Sequence, residues 1–315
     1  MKNSLILEPC RLVWGDLNSV PHPKMSILMP VYNKYDYLKE SIQSAINQDF
    51  GEPYEIVIVD NNPEPNNSCL DIVKELKSTK ILYYQNEKNI GMVKNWNQSV
   101  LLSRSELFTF LHDDDLLCSD ALSELYSFSK DHKGVLLAKQ SIIDSNDRVL
   151  DKPQKYKFRR KISRLFKYSL ILDSISTGVG SLYHKSEFIS LDGYNEDMYP
   201  SHDYKINADY VTRFGGYAIS YPLSKVRVAE NASFQVYDMY TDVCFRIRQS
   251  IIQSYNSSFK RSLYGIVSSY KREYDDVNNK VHWGGEKREN IKYNRWKYGI
   301  IKYLIKIERV RRILY

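Results

Sequence analysis

Three consecutive carboxylates, Asp113, Asp114 and Asp115, follow the apolar run LFTFLH at 107–112. Carboxylates side by side repel one another unless a cation or hydrogen-bond donors compensate. A hard divalent ion such as Mg²⁺ or Mn²⁺ does so, because it takes oxygen ligands and can hold a substrate diphosphate while keeping part of its water shell. Turn and helix-cap duty is the ordinary alternative for such acids. Asp60 closes a second apolar run, EIVIVD at 55–60. Asp203 stands near the start of a segment in which Tyr204, Ala208 and Val211 fall at helical spacing.

Those acids need a frame that brings strand ends together. MSILMPVYN at 25–33 reads as a buried strand and turn, and YDYLKESIQSAINQ at 35–48 as a helix with Leu38, Ile42 and Ala45/Ile46 inward. After the strand at 55–60, NNPEPNN at 61–67 is loop chemistry. A helix around 68–77, a strand at 80–85, a helix around 91–102 with Met92, Val93 and Trp96 inward, and a strand at 107–112 continue the alternation. A helix near 118–131 and a strand near 134–143 follow, then a glycine-bent passage at 176–185 and a return to a short sheet at 218–228. Alternating strands and helices predict an α/β fold, a mostly parallel sheet covered by helices. In such sheets ligands gather beyond the carboxyl ends of the strands, where Asp60 and Asp113–Asp115 fall. The first strand–helix junction reads PVYNKYDY, with no GxGxxG, and no Walker loop occurs, which points away from an ordinary NAD or ATP enzyme.

The 315 residues, with 43% hydrophobic and 26% charged residues, exclude collagen-like, low-complexity and wholly disordered chains. Four scattered cysteines without a CxxC pair suggest neither a zinc knuckle nor a disulfide scaffold, and fit a reducing compartment. The chain shows no apolar run of membrane-spanning length and no secretory leader pattern. Its net charge of +7 is uneven: residues 256–315 carry 15 Lys/Arg against 6 Asp/Glu. A second basic stretch, KYKFRRKISRLFK at 155–167, reads as an acceptor-facing or membrane-facing flap or as a solvated face. The C-terminal segment is helical in pattern, with Trp296, Ile300, Leu304, Ile307 and Leu314 among Lys and Arg. Its apolar stripe suits either an anionic membrane interface or packing on the rest of the chain.

In order along the chain, MPVYN 29–33, EIVIVDNN 55–62, NEKNIGMVKNWN 86–97, FTFLHDDDLL 108–117, GSLYHK 180–185, LDGYNED 191–197 and SHDYKINADYVTRFG 201–215 resemble the family 2 nucleotide-sugar glycosyltransferases, especially bacterial enzymes of O-antigen and capsule synthesis. The resemblance covers most of residues 24–228. It implies a GT-A fold, a Rossmann-like, mostly parallel central sheet flanked by helices, in a catalytic domain over 1–230. Within that domain a nucleotide-binding half spans about 24–117 and an acceptor-binding half about 118–230. Residues 231–315 form a basic, amphipathic helical extension.

The same resemblance implies that Pro30, Val31 and Tyr32 border the nucleotide base, that Asp60 binds the base or its ribose, and that Lys94 and Asn95 lie beside the nucleotide pocket. Each has an ordinary structural alternative: Tyr32 as a core aromatic, Asp60 as a loop-capping acid, Lys94 as an exposed helix residue. The family commonly begins an Asp-X-Asp-Asp group where this chain has His112-Asp113-Asp114-Asp115. One registration pairs Asp113 with Asp115; the other sets His112 at the first family carboxylate and Asp114 at the second. Asp115 is the first choice of metal ligand, with Asp113 or Asp114 assisting the metal or the ribose, and His112 as a further imidazole ligand or an orienting residue. Asp203 corresponds to the base of inverting members, in a His202-Asp203 pair where the family usually has Glu-Asp. Glu196 and Asp197 are assigned to the acceptor loop, and Glu230 and Asn231 to the neighbourhood of the metal or diphosphate.

The expected reaction is an inverting, Mn²⁺- or Mg²⁺-dependent transfer of a hexose or N-acetylhexosamine from a UDP-sugar to a saccharide hydroxyl. The expected acceptor is carried on undecaprenyl diphosphate, with the enzyme peripheral on the cytoplasmic face of the inner membrane. A metal-dependent sugar-nucleotide hydrolase or nucleotidyltransferase would use similar acids. A non-catalytic polysaccharide- or nucleic-acid-binding protein would use the basic segments, but no RRM, KH or zinc-finger signature favours nucleic acid.

Overall fold

Every position of MSILMPV and of YEIVIVD is buried, so these two runs form central strands covered on both faces rather than half-exposed ones with alternating polarity. In the computed structural model, which describes residues 5–64, 68–150, 162–173, 178–228, 237–282, 287 and 290–314, they are β2 (Met25–Val31) and β3 (Tyr54–Asp60). Around them lie β1 (Cys10–Trp14), β4 (Ile81–Asn86), β5 (Leu107–Phe110) and β9 (Tyr183–His184), in the order β1-β4-β3-β2-β5-β9. The inner pairs β4–β3, β3–β2 and β2–β5 are parallel, and the two edges, β1 on β4 and β9 on β5, are antiparallel. The chain winds outward from β2 through β3 to β4 and then crosses back to β5 on the opposite side of β2. The strand order therefore reverses at β2, which opens a crevice at the carboxyl ends of β2 and β5.

Helices α1 (Leu38–Ile46), α2 (Ser68–Leu76) and α3 (Met92–Leu102) connect these strands. The buried face of α1 is the expected one, Leu38, Ser41, Ile42 and Ala45. In α3 the buried set is Val93, Asn95, Asn97, Gln98, Ser99 and Val100, whereas Met92, expected inward, is exposed at the first helical position. The core side of α3 is thus largely polar, a pattern that hydrophobic periodicity does not register.

A second, smaller sheet is built from β6 (Leu116–Leu117), β7 (Val135–Ile143) and β10 (Gly216–Arg227), with β8 (Ile162–Arg164) pairing on β10. Helices α4 (Ala121–Asp131), α5 (Lys167–Leu172), α6 (Lys185–Ser190) and α7 (His202–Arg213) surround it. The glycine-bent passage is real: Gly178 and Gly180 have φ of +90° and +68°. A Cβ at Gly180 would also come within 2.9 Å of Ser224. This α/β arrangement has the architecture expected of a GT-A fold.

Three helices complete the chain, α8 (Tyr237–Gln253), α9 (Ser258–His282) and α10 (Arg295–Leu314). Val243, Cys244, Ile247, Ile251 and Ile252 of α8 share one core with Tyr204 and Ala208 of α7 and with Phe108 and Phe110 of β5. The extension begins, in packing terms, as part of the body that holds the site. In α10 the buried face is Tyr298, Ile301 and Ile305 with Glu308, set against Leu172, Tyr168 and Val267. The stripe expected from sequence is offset from this one: Ile300 and Leu304 are half-buried, Trp296 and Ile307 are exposed, and the side chain of Leu314 lies outside the described residues. Most of the basic stretch 155–167, and both Glu230 and Asn231, lie outside them as well.

Candidate active site

The crevice is walled first by amides. Asn61 follows β3, Asn86 ends β4, and Asn95 and Gln98 lie on α3. Asn86 Nδ2 donates to Asn61 Oδ1 at 3.0 Å and to Asn95 Oδ1 at 2.9 Å, and Gln98 Nε2 donates to Asn86 Oδ1 at 2.6 Å. Asn95 Nδ2 donates to the Val59 carbonyl at 3.0 Å. Buried amides that satisfy one another hold the strand ends in a single arrangement, because any displacement leaves a polar group unpaired. Asn86 and Asn95 of this framework lie in the run NEKNIGMVKNWN, with Gln98 just after it and Asn61 in EIVIVDNN, but amide spacing alone carries no signal of burial.

Among the expected nucleotide-binding residues, Pro30 and Val31 are buried at the end of β2, and Tyr32, the next residue, is exposed at the crevice. Asp60 is fully buried, with Oδ1 accepting from the backbone N–H of Asn62 at 2.9 Å and Oδ2 from the Tyr83 hydroxyl at 2.8 Å. It therefore shapes the start of the 61–64 loop. Asn95 is buried and pins strands, whereas the Lys94 Nζ lies 3.8 Å from a carboxylate oxygen of Glu8 on the N-terminal segment.

The acidic motif follows β5 on the other wall. Ligand atoms from His112, Asp114 and Asp115 lie within 4.8 Å of one another; Asp113 is not in this group, and its carbonyl instead accepts from Ser41 Oγ at 3.0 Å. His112 Nδ1 is 2.9 Å from Asp115 Oδ2, and His112 Nε2 is buried with no hydrogen-bond partner among the described residues. Burial pulls the His112 imidazolium down, but the hydrogen bond to Asp115 and the charges of Asp115, Asp114 and Asp113 outweigh it and raise the group to about 9. Burial and the Asp114 charge push Asp113 up to about 7, and burial with the Asp115 charge raises Asp114. Two carboxylates and an imidazole whose buried Nε2 has no protein partner among the described residues form a donor set that fits a divalent cation, which would have to displace the imidazolium proton before the nitrogen could ligate; a nitrogen ligand favours Mn²⁺ over Mg²⁺.

Arg227, at the end of β10, supports this motif from beneath and was not singled out in the sequence. Its side chain is wholly buried; Nε donates to the Asp114 carbonyl at 3.0 Å and Nη1 to the Asp144 carbonyl at 3.1 Å. Nη1 also lies 2.7 Å from Asp147 Oδ1 and Nη2 lies 3.3 Å from Glu40 Oε2, and the guanidinium stacks 4.0 Å from the Tyr37 ring centroid. A planar fork with five donors is what allows one side chain to serve so many acceptors.

Trp96, half-buried on α3, forms the floor between the two halves. Its ring centroid lies 4.7 Å from His112, 5.7 Å from His202 and 5.6 Å from Tyr194. Asn97 clamps the loop on the acceptor side: its Nδ2 donates to the Tyr194 carbonyl and its Oδ1 accepts from the Tyr194 N–H, each at 2.9 Å. Gly193 precedes that contact with φ +64°, and a Cβ there would stand 2.7 Å from Asn97 Oδ1. Glu196 and Asp197 form the short 3-10 turn that follows.

Asp203 is the second residue of α7, half-buried among aromatic rings. Burial pushes its carboxyl up to about 6, against the opposing pull of the Tyr204 N–H and the His112 charge. Its neighbour His202 is buried with Nδ1 unpartnered among the described residues, and burial and the His112 charge lower it to about 4. One wall of the site thus has a candidate cation-holding cluster whose His112 packs on Trp96, and the other has α7, whose His202 packs on the same indole beside the carboxyl of Asp203, raised by burial. Such a pair of walls can stabilise a departing diphosphate on one side and accept a proton on the other.

Comparison with known proteins gives the family and the fold. Residues 26–190 match the family described as Glycosyl transferase family 2. An uncharacterised glycosyltransferase of Methanocaldococcus jannaschii is 30% identical over 190 residues, 58% of this chain, and the match spans 62% of that relative's length. The GalNAc(5)-diNAcBac-PP-undecaprenol beta-1,3-glucosyltransferase of Campylobacter jejuni is 26% identical over 261 residues, covering 79% of this chain and 83% of its own. Among solved structures, S. aureus TarS in complex with UDP-GlcNAc superposes with a TM-score of 0.62 at 17% identity, over 88% of this chain and 79% of that one. At that identity the likeness is one of fold.

Proposed function

The chain belongs to glycosyl transferase family 2, and from that premise we propose that it is an inverting glycosyltransferase that moves a hexose or N-acetylhexosamine from a UDP-sugar to a saccharide hydroxyl. The observation that supports this reading is the cluster of His112, Asp114 and Asp115, with the rings of His112 and of His202, the neighbour of Asp203 on α7, both packed on the indole of Trp96. In this reading the crevice between β2 and β5 receives the nucleotide, with Tyr32 against the base and the Asp60 loop beside the ribose. His112, Asp114 and Asp115 hold Mn²⁺ or Mg²⁺. When bound, that ion neutralises the charge that develops on the departing nucleoside diphosphate.

Asp203 takes the proton of the acceptor hydroxyl as its oxygen attacks the anomeric carbon from the face opposite the diphosphate, so the configuration inverts. A carboxyl raised to about 6 is ionised at neutral pH and still basic enough to share the proton. The Asn97–Tyr194 clamp holds the loop carrying Glu196 and Asp197 at the acceptor side. The Campylobacter relative is named for an undecaprenyl diphosphate-linked acceptor, and a lipid-linked saccharide of that kind is the acceptor proposed here, met at the cytoplasmic face of the membrane.

Calorimetric titration with UDP, GDP and dTDP, each with and without Mn²⁺, tests the donor side. UDP preference that requires Mn²⁺ supports the reading, and no nucleotide binding by folded protein overturns it. Anomeric analysis of the product by NMR separates inverting transfer from retention, and release of free sugar or sugar phosphate without transfer would favour a sugar-nucleotide hydrolase.

A further inference from the structure

The outer surface of α10 carries a second apolar row. Trp296, Tyr303, Ile307 and Val310 are each between 44% and 69% exposed. At 100° per residue they fall within about 60° of the helix circumference, opposite the buried Ile301 and Ile305. A helix that packs on its protein needs one apolar stripe; the other has no partner among the described residues. The first turns of α9 repeat the pattern with Phe259, Leu263 and Ile266, exposed by 73%, 45% and 53%. Trp296 reaches back to α9, its ring 6.4 Å from that of Tyr270, so the two rows meet.

Basic residues dominate the flanks of these rows, with Glu273 beside Lys297 and Asp173 beside Arg309 and Arg312 as the carboxylates that meet α10 from other elements among the described residues. Residues 258–272 contain no carboxylate, and residues 295–312 contain only Glu308, which is 3% exposed and paired with Arg311 and Arg312. Lys260, Arg295, Lys302 and Lys306 are exposed and form no ion pair among the described residues. Aromatic and aliphatic side chains rimmed by unpaired cations suit the boundary between headgroups and acyl chains of an anionic bilayer. None of the described helices is long and apolar enough to cross a membrane, so contact would be in the plane of the interface.

We propose that the outward faces of α9 and α10 dock the protein on an anionic lipid bilayer, with Phe259, Trp296, Tyr303 and Ile307 entering the interface and Lys302 and Lys306 meeting lipid phosphates. This names the surface for the membrane-side acceptor proposed above. It leaves the opposite face of α10 committed to the protein.

Flotation with vesicles of 30% phosphatidylglycerol in phosphatidylcholine, against pure phosphatidylcholine, tests it on the full chain. The expected result is binding to the anionic vesicles that weakens with salt. Both the double variant Tyr303→Ser/Ile307→Ser and the double variant Lys302→Glu/Lys306→Glu should lower partitioning by about tenfold or more. Trp296 emission should shift to the blue on anionic vesicles, a component lost in Trp296→Phe. Failure of the wild type to float with anionic vesicles, or undiminished flotation of either double variant, overturns the proposal. A lipid-free dimer seen by light scattering and dissolved by Tyr303→Ser/Ile307→Ser would assign the face to a second copy instead. UDP binding is measured on the same samples without lipid, so wild type that binds UDP but does not float with anionic vesicles counts against the surface and not against the transferase reading.

Discussion

The backbone N–H of Arg227 donates to Oδ1 of Asp115 at 2.9 Å, while the Arg227 side chain holds the Asp114 carbonyl, so the last residue of β10 fixes both the backbone and one carboxylate of the acidic motif. Arg227 acts through the residues of the motif, so its place is that of a positioning group. Sheet and motif are joined through the backbone and the side chain of one residue.

Replacing Arg227 by Met should therefore weaken Mn²⁺-dependent UDP binding without removing a ligand. Glu40 and Asp147 are half-exposed and can return to water, so the stability loss should be about 1–3 kcal/mol, less than for a sealed ion pair. Arg227→Lys keeps the charge but not the fork and should fall between. Calorimetry of UDP with Mn²⁺, beside urea denaturation, checks both effects; unchanged binding in a destabilised protein would leave Arg227 a purely structural role.

Asp203→Asn should retain UDP binding and lower transfer by about 10²-fold or more. It should also fold at least as stably at neutral pH. The carboxyl is raised in the folded state, so its contribution to stability is present below the unfolded value near 4 and is lost as pH rises through about 6. Removing the charge recovers up to about 1–2 kcal/mol, after discounting for partial solvent access. A thermal melt at pH 7.5 and a transfer assay report the two effects separately.

In the proposed mechanism the same group should set the acid limb of the wild-type rate profile. The base must be ionised, so kcat should fall about tenfold per pH unit below about 6. His202, lowered to about 4, should add no inflection between pH 5 and 8. An acid limb that persists unchanged in His202→Gln would support Asp203 as its source.

Alanine at His112, Asp114 or Asp115 should reduce Mn²⁺-dependent UDP affinity by at least about tenfold, and alanine at Asp113 should do less. The geometry groups the first three and turns the Asp113 carbonyl towards Ser41. Equal loss at Asp113 would restore the Asp113–Asp115 registration.

Trp96→Leu removes the surface shared by His112, His202 and Tyr194. It should raise KM for the acceptor and lower kcat while leaving UDP affinity within about threefold, because the indole packs against His112, His202 and Tyr194 and not at the strand ends proposed to receive the base. Steady-state kinetics against acceptor concentration at saturating donor decides it.

Much of this was legible in the residues. Uninterrupted apolar runs at 25–31 and 55–60 demand burial on both faces, and that demand, with helices of period 3.6 between the runs, determines a covered parallel sheet. Asp113–Asp115 and Asp203 declared themselves by type and by place at the ends of elements. The tertiary structure alone decided which ligand atoms converge, since neighbours in sequence at a turn point in different directions, and His112 joined Asp114 and Asp115 in a group that leaves out Asp113. It alone decided that Arg227 lies beneath the motif, because an arginine reads as a surface residue until burial and acceptors are seen. It also decided that α10 has two apolar faces, one spent on Leu172 and Val267 and one left outward. Periodicity records that a helix has apolar residues; only packing shows which of them the protein itself covers.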